Sequence, residues 1–317
     1  MKKEATIAPG QPFPSPKENV VPAQKGVVHP VVIYPFHQPN EYLDLEELYG
    51  LIGALDADRT SYARPITVID RKTHLAGESA KGYAAFRKSV VGKYTEILDA
   101  WCVDTCQMWY SGLGAAFEEG NPGDVYWLIP GDFNYGSGAG KEVLGRLHEL
   151  PEIVLELGQD FCVGEIAADH VNSKQLIDTY GTFALLYNWF PSEAQGIRRI
   201  TERPRSEFFA ISHSFLKEIL RQRWYAYEQT MVILLTAVFS HKQISKFFVG
   251  GVTDLPRGQE SYASAIQQVE RTERVLKTLW LEWNQPKPGW PEDYLRLQSH
   301  SEQIRRTALL ILKTLLS

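Results

Sequence analysis

Val125-Tyr126-Trp127-Leu128-Ile129-Pro130-Gly131-Asp132 is the stretch from which the fold is read. It follows a turn cluster, Gly120-Asn121-Pro122-Gly123-Asp124, and a proline and a glycine end it. An apolar run this short, bounded by turn residues and rich in β-branched and aromatic side chains, reads as a buried strand. The strand delivers Asp132 into a glycine-containing loop. In open α/β sheets ligands bind at the carboxyl ends of strands. A carboxylate there suits a divalent cation or a ribose hydroxyl. The same residue could also do no more than stabilise a turn.

Working outward, similar strands recur on both sides. Val27 to Tyr34 is a β-branched run ended by Pro35. The run Pro65 to Asp70 again closes on a carboxylate. Between them, Leu43, Leu45, Leu48, Leu51, Ile52 and Leu55 keep helical spacing over residues 41–55. A long helical stretch is expected from Ser79 to Glu119, with one break near Cys102–Thr105. Downstream come a strand at Phe161–Ile166, a helix from Ser173 to Asn188 and a short strand at Glu207–Ile211. A helix at Ser214–Arg221, an apolar helix at Tyr225–Phe239 and a strand at Ile244–Val249 follow. Beyond Gly258 only helical patterns remain, broken once at Pro286–Pro291. Strands alternating with helices imply an α/β fold with a mostly parallel sheet, carrying a helical C-terminal appendage. The expected organisation is a Pro-rich, poorly ordered tail at 1–26, an α/β domain at 27–257 and the appendage at 258–317.

Composition narrows the function classes. With 317 residues, 44% hydrophobic and 22% charged, the chain is long enough for a large buried core. A formal charge of −5 lacks the basic excess of a phosphate-tracking protein, so no nucleic-acid partner is expected. Three cysteines, Cys102, Cys106 and Cys162, make no disulfide framework, and the expected compartment is the reducing cytoplasm. Cys102 and Cys106 lack further ligands at zinc spacing and read as core residues. No window approaches the ~18 apolar residues of a membrane span, and the N-terminus has no apolar signal-peptide core.

The order of parts resembles the GT-A nucleotide-sugar glycosyltransferases of the broad family-2-like group, and within it the mannosylglycerate synthases. Six segments between Val31 and Arg257 carry the resemblance. Val32 to His37 resembles the opening strand, whose end holds the nucleotide base. Ile69-Asp70 resembles the second strand, where a carboxylate contacts the base. Ser111-Gly112-Leu113-Gly114-Ala115-Ala116, followed by Trp127 to Asp132, takes the place of the small-residue helix and the strand ending in Asp-x-Asp. Pro130 stands where the first Asp of that motif would be, so only Asp132 remains. Tyr180 to Tyr187 and Glu202 to Phe209 are similar to the acceptor side. Arg223 to Glu228 is similar to the segment bearing an acidic residue near the reacting sugar. Phe248 to Asp254 resembles the end of the last strand, yet no His follows it as a metal ligand.

The resemblance implies a Rossmann-like nucleotide-binding sheet and a GDP- or UDP-linked sugar donor. It assigns Pro35, Phe36, His37, Asp70 and Asp132 to the nucleotide sugar. Asp132 would hold Mg²⁺ or Mn²⁺ in a weakened metal site. Glu228 would be the catalytic carboxylate, although at a helix start it could merely favour the macrodipole. Arg203 and Arg205 would bind the acceptor or a phosphate; that cluster suits an anion better than a neutral group, or could be a solvated loop. The expected function is transfer of a sugar to a soluble small-molecule or glycan acceptor. The alternative is a catalytically inactive GT-A-like protein that binds a nucleotide sugar or a partner. The apolar face of the C-terminal helices would allow a homo-oligomer.

Overall fold

A computed structural model describes residues 26–33, 43–58, 61–70, 81–100, 105–131, 133–166, 176–222, 229–251, 262–285 and 287–316. Three strands of mostly apolar sequence form the middle of the molecule. Strand β1 (Val28–Ile33) and strand β4 (Val125–Pro130) are buried at every position, as a strand covered on both faces must be. Strand β2 (Ile66–Asp70) lies on the other side of β1. With β3 (Glu96–Ala100), β5 (Phe161–Ile166), β6 (Phe209–Ser212) and β7 (Ile244–Gly250) they make one sheet in the order β3-β2-β1-β4-β6-β5-β7. All pairings are parallel except those of β6, which runs antiparallel to β4 and β5.

Helices cover both faces. One face packs on α1 (Leu43–Asp58), α4 (Gly138–Arg146) and α5 (Glu149–Leu157) around Val32, Trp127 and Cys162. The other packs on α3 (Thr105–Glu119), α6 (Ala184–Trp189), α7 (Pro191–Ile200), α8 (His213–Arg221) and α9 (Gln229–Phe239). Helix α2 (Lys81–Val90) leads into β3. The small residues of α3 have a packing purpose. A Cβ on Gly112 would sit 2.6 Å from both Val31 and Val68, so this helix approaches β1 and β2 only because Gly112 has no side chain.

The expected helix from Ser79 to Glu119 is corrected. Its middle is strand β3, paired in parallel with β2. Glu96, Leu98, Asp99 and Ala100 give the segment a helix-like composition, but pairing with β2 overrides propensity. Thr95 secures the entry: its hydroxyl donates to the Pro65 carbonyl at 2.7 Å and meets the Thr67 hydroxyl at 2.8 Å.

The C-terminal helices α10 (Tyr262–Asn284) and α11 (Trp290–Leu316) pack together and against α6. Leu276, Leu279 and Leu312 are fully buried in the same core cluster as β4 and β6. The buried Glu273 carboxylate accepts from Ser301 at 3.0 Å and pairs with Lys277 at 2.8 Å and Arg305 at 3.4 Å. The Trp189 indole donates to Ser301 at 3.1 Å, which ties both helices to α6.

At the amino edge of the sheet Asp124 gathers three donors: the N–H groups of Val27 at 2.8 Å and Asn121 at 2.7 Å, and the His29 ring at 3.0 Å. Burial alone would raise its carboxyl, but these hydrogen bonds outweigh burial and hold it below the usual value. His213 meets the Tyr126 hydroxyl at 2.8 Å and stacks on Phe117. Cys162 is buried in the core, and burial pushes its thiol up to about 12. No helix among the described residues is long and apolar enough to cross a membrane.

Candidate functional site

The carboxyl edge of the central strands is where the predicted segments meet. Ile33 is level with Val68 on one side and with Pro130 on the other. Asp70 ends β2 two positions further on, beside Ala100 of β3. The segments ending in Ile33, Asp70 and Pro130 thus lie side by side. The loop after β4 is held firmly. The Gly131 N–H donates to the Ile33 carbonyl at 2.7 Å, and the buried Tyr135 hydroxyl donates to the Pro130 carbonyl at 2.6 Å. Ser137 then caps α4 by accepting from the Gly140 N–H at 2.9 Å. Pro35, Phe36, His37, Asp132 and Glu228 lie outside the described residues, as does the side chain of Asp70.

Arg203 and Arg205 come to this same edge. They sit on the loop between α7 and β6, which is pinned at several points. The Arg203 N–H donates to Thr201 Oγ1 at 2.9 Å, and the Ser206 N–H donates to the Arg203 carbonyl at 3.0 Å. The buried Ser206 hydroxyl donates to the Gly164 carbonyl of β5 at 2.6 Å. The Thr230 hydroxyl, in the first turn of α9, donates to the Ser206 carbonyl at 2.5 Å. The Phe133 ring meets Phe208 edge-on at 4.9 Å. The residue after Asp132 and a residue two beyond Glu228 therefore both abut the arginine loop.

Phe133, Ile166, Asp178, Arg203, Arg205, Ser206 and Glu207 line a cleft of about 30 Å³, space on the scale of ordered water. Within it the Arg205 guanidinium lies 3.9 Å from the Asp178 carboxylate, with both side chains only 6% exposed. Arg205 also donates to the Gln268 carbonyl oxygen from α10. Arg198, an alternative cation, does not line this cleft. It lies over the Phe183 ring at 4.7 Å and pairs with Glu202 at 3.5 Å.

Asp178 opens a π-helical segment, Asp178–Phe183, that runs directly into α6. Such segments are often found at functional sites. Sequence reasoning missed Asp178 and Gln268. The available signal was the charge itself: Asp178 follows Ile177 on a face that must be buried, and a buried carboxylate needs a cation. Among the described residues no three His, Cys, Asp or Glu side chains cluster as metal ligands, and Asp178 is turned to Arg205 rather than to a cation site.

No family model matches the chain, and no curated protein matches its sequence. Among solved structures it is similar to glucosyl-3-phosphoglycerate synthase from Mycobacterium tuberculosis. The complex of that enzyme with Mn²⁺ and UDP-glucose gives a TM-score of 0.53 at 14% identity, covering 83% of this chain and 81% of the other. Its phosphoglyceric acid complex gives 0.51 at 13% identity, covering 83% and 82%. The fold is of the GT-A type. In this GT-A frame the cleft at Arg205 opens beside the strand-end loop that carries Asp132, on the carboxyl side of the sheet.

Proposed function

We propose that the chain is a glycosyltransferase that takes a sugar from a nucleotide diphosphate and passes it to a small anionic acceptor. One observation carries this reading: a buried arginine, Arg205, with Arg203 beside it, borders the loop that follows β4 in a GT-A fold. A guanidinium in a site sheltered from water binds carboxylate or phosphate far better than an exposed one does. The solved enzyme of the same fold is captured with UDP-glucose and phosphoglyceric acid, which supports an acceptor of that chemical class.

In this reading the ends of β1 and β2 hold the base and ribose, through Pro35, Phe36, His37 and Asp70. Asp132 faces the diphosphate. As the bond between the sugar and the diphosphate oxygen breaks, its electron pair stays on the diphosphate. The acceptor oxygen forms the new bond to the sugar, and its proton passes to a base, for which Glu228 is the candidate. Arg203 and Arg205 anchor the acceptor's anionic group and fix its hydroxyl.

A divalent cation on Asp132, Mg²⁺ or Mn²⁺, would neutralise charge on the diphosphate. Pro130 stands where a second carboxylate would help hold that cation. The proposed setting is cytoplasmic. Leu310 and Leu315 of α11, 65% and 52% exposed, support self-association through the C-terminal helices. The decisive experiment is a mass-spectrometric screen of UDP- and GDP-sugars with phosphorylated and carboxylated acceptors, using Glu228→Gln as control. Transfer lost in Glu228→Gln supports the reading. Nucleotide-sugar binding without turnover on any pair would leave the inactive, binding-protein alternative.

A further inference from the structure

We infer that the C-terminal helices support the anion pocket from behind its lining, with Gln268 of α10 as the residue that positions Arg205 for the acceptor. The inference rests on the acceptor-side reading of that pocket given above. A free arginine side chain loses rotamer entropy when it is held, so it binds an anion well only where its guanidinium is already fixed. Among the described residues, Asp178 and Gln268 both hold Arg205, and they come from different parts of the chain. Asp178, on the π-helical segment, lies 3.9 Å away: close enough to attract, too long for a hydrogen bond. The directional contact is the hydrogen bond from Arg205 Nη2 to Gln268 Oε1.

The chemistry of residue 268 matters. An amide oxygen holds a guanidinium without cancelling its charge, whereas a further carboxylate beside Asp178 and Glu207 would outnumber Arg203 and Arg205 and leave no net attraction for an incoming anion. The seat of Gln268 is equally well defined. Its neighbour Val269 is fully buried against Gly181 of the π-helical segment. A Cβ at Gly181 would lie 2.8 Å from Val269 Cγ2, so α10 reaches this depth only because residue 181 is glycine. Further along, Glu273 locks α10 to α11 through Ser301, Lys277 and Arg305. The C-terminal helices thereby set the pose of an arginine at the sheet edge.

The test is isothermal titration of the full chain with 3-phosphoglycerate and, separately, with UDP. The variants are Arg205→Ala, Gln268→Ala and Gln268→Glu, each with a melting temperature. We expect Arg205→Ala to lose 3-phosphoglycerate. Gln268→Ala should weaken it about tenfold, the loss of one charge-assisted contact, with UDP affinity kept. Gln268→Glu should weaken it further although its melting temperature is no lower than wild type, because the new carboxylate pairs with Arg205. A purely structural residue would not separate binding from stability in this way. If both Gln268 variants bind 3-phosphoglycerate as wild type does while Arg205→Ala does not, the role of Gln268 is overturned and the pocket stands. Equal loss of UDP and 3-phosphoglycerate in Gln268→Ala also overturns it. Wild type that binds UDP but no 3-phosphoglycerate overturns the acceptor reading, and this inference with it.

Discussion

Asp178 and Arg205 place opposite charges 3.9 Å apart with almost no water contact. Removing one partner of such a pair costs about 3–5 kcal/mol when the other is left wholly unpaired, and the lower end applies here because Arg205 keeps its hydrogen bond to Gln268. Asp178→Asn should therefore destabilise the protein by about 3 kcal/mol in urea unfolding. On the proposed reading of Arg205 as an anion anchor, added sulfate should restore part of that loss, and more than it gives wild type. At the opposite edge of the sheet His213 provides a pH test. Burial, with Lys217 and His29 nearby, holds its imidazole below the usual 6.5, outweighing the pull of Asp124. The unfolded chain then takes up the proton first, so stability declines as pH falls from about 6.5 toward the folded value. Asp124 is held low instead, so its contribution is complete above about 4 and is lost only in stronger acid. Unfolding at pH 7.5 and 5.5 should show a loss that His213→Gln reduces. The arginines of the proposed pocket stand out in the sequence because they cluster there. Asp178 and Gln268 do not, because their meeting with Arg205 depends on how a π-helical segment and a helix 63 residues further on are packed.

At the scale of elements, the buried parallel strands were the easiest to read, since β1 and β4 are apolar at nearly every position and each runs into proline. Edge strand β3 escaped because its composition suits a helix and only Thr95 and its partner strand hold it extended. Helices α4, α5 and α7 drew no assignment: α4 and α7 bury only two to three residues apiece in short, mixed segments. The glycines of α3 were read as a family trait and prove to be a packing requirement. Gly112→Ala should cost about 1–2 kcal/mol despite alanine's better helix propensity, because its methyl would press on Val31 and Val68. Denaturant midpoints at unchanged slope would verify this.

For the whole molecule, the C-terminal helices bury Val269, Leu276, Leu279 and Leu312 completely. Each such side chain contributes about 1.5–3 kcal/mol of apolar burial. A chain ended at Arg257 should accordingly lose cooperative thermal unfolding rather than yield a smaller, well-folded transferase. A sharp melt from that chain would argue that the helices are an independent addition. The central claim is that the carboxyl edge of β1, β2 and β4 grips a nucleotide diphosphate beside the Arg205 pocket. A crystal structure of the full chain soaked with UDP or GDP tests this most directly. The account predicts the base beyond Ile33 and Asp70 and the diphosphate against the Gly131–Phe133 loop; a nucleotide seated elsewhere, such as the groove between Tyr180 and Ile311, would contradict it.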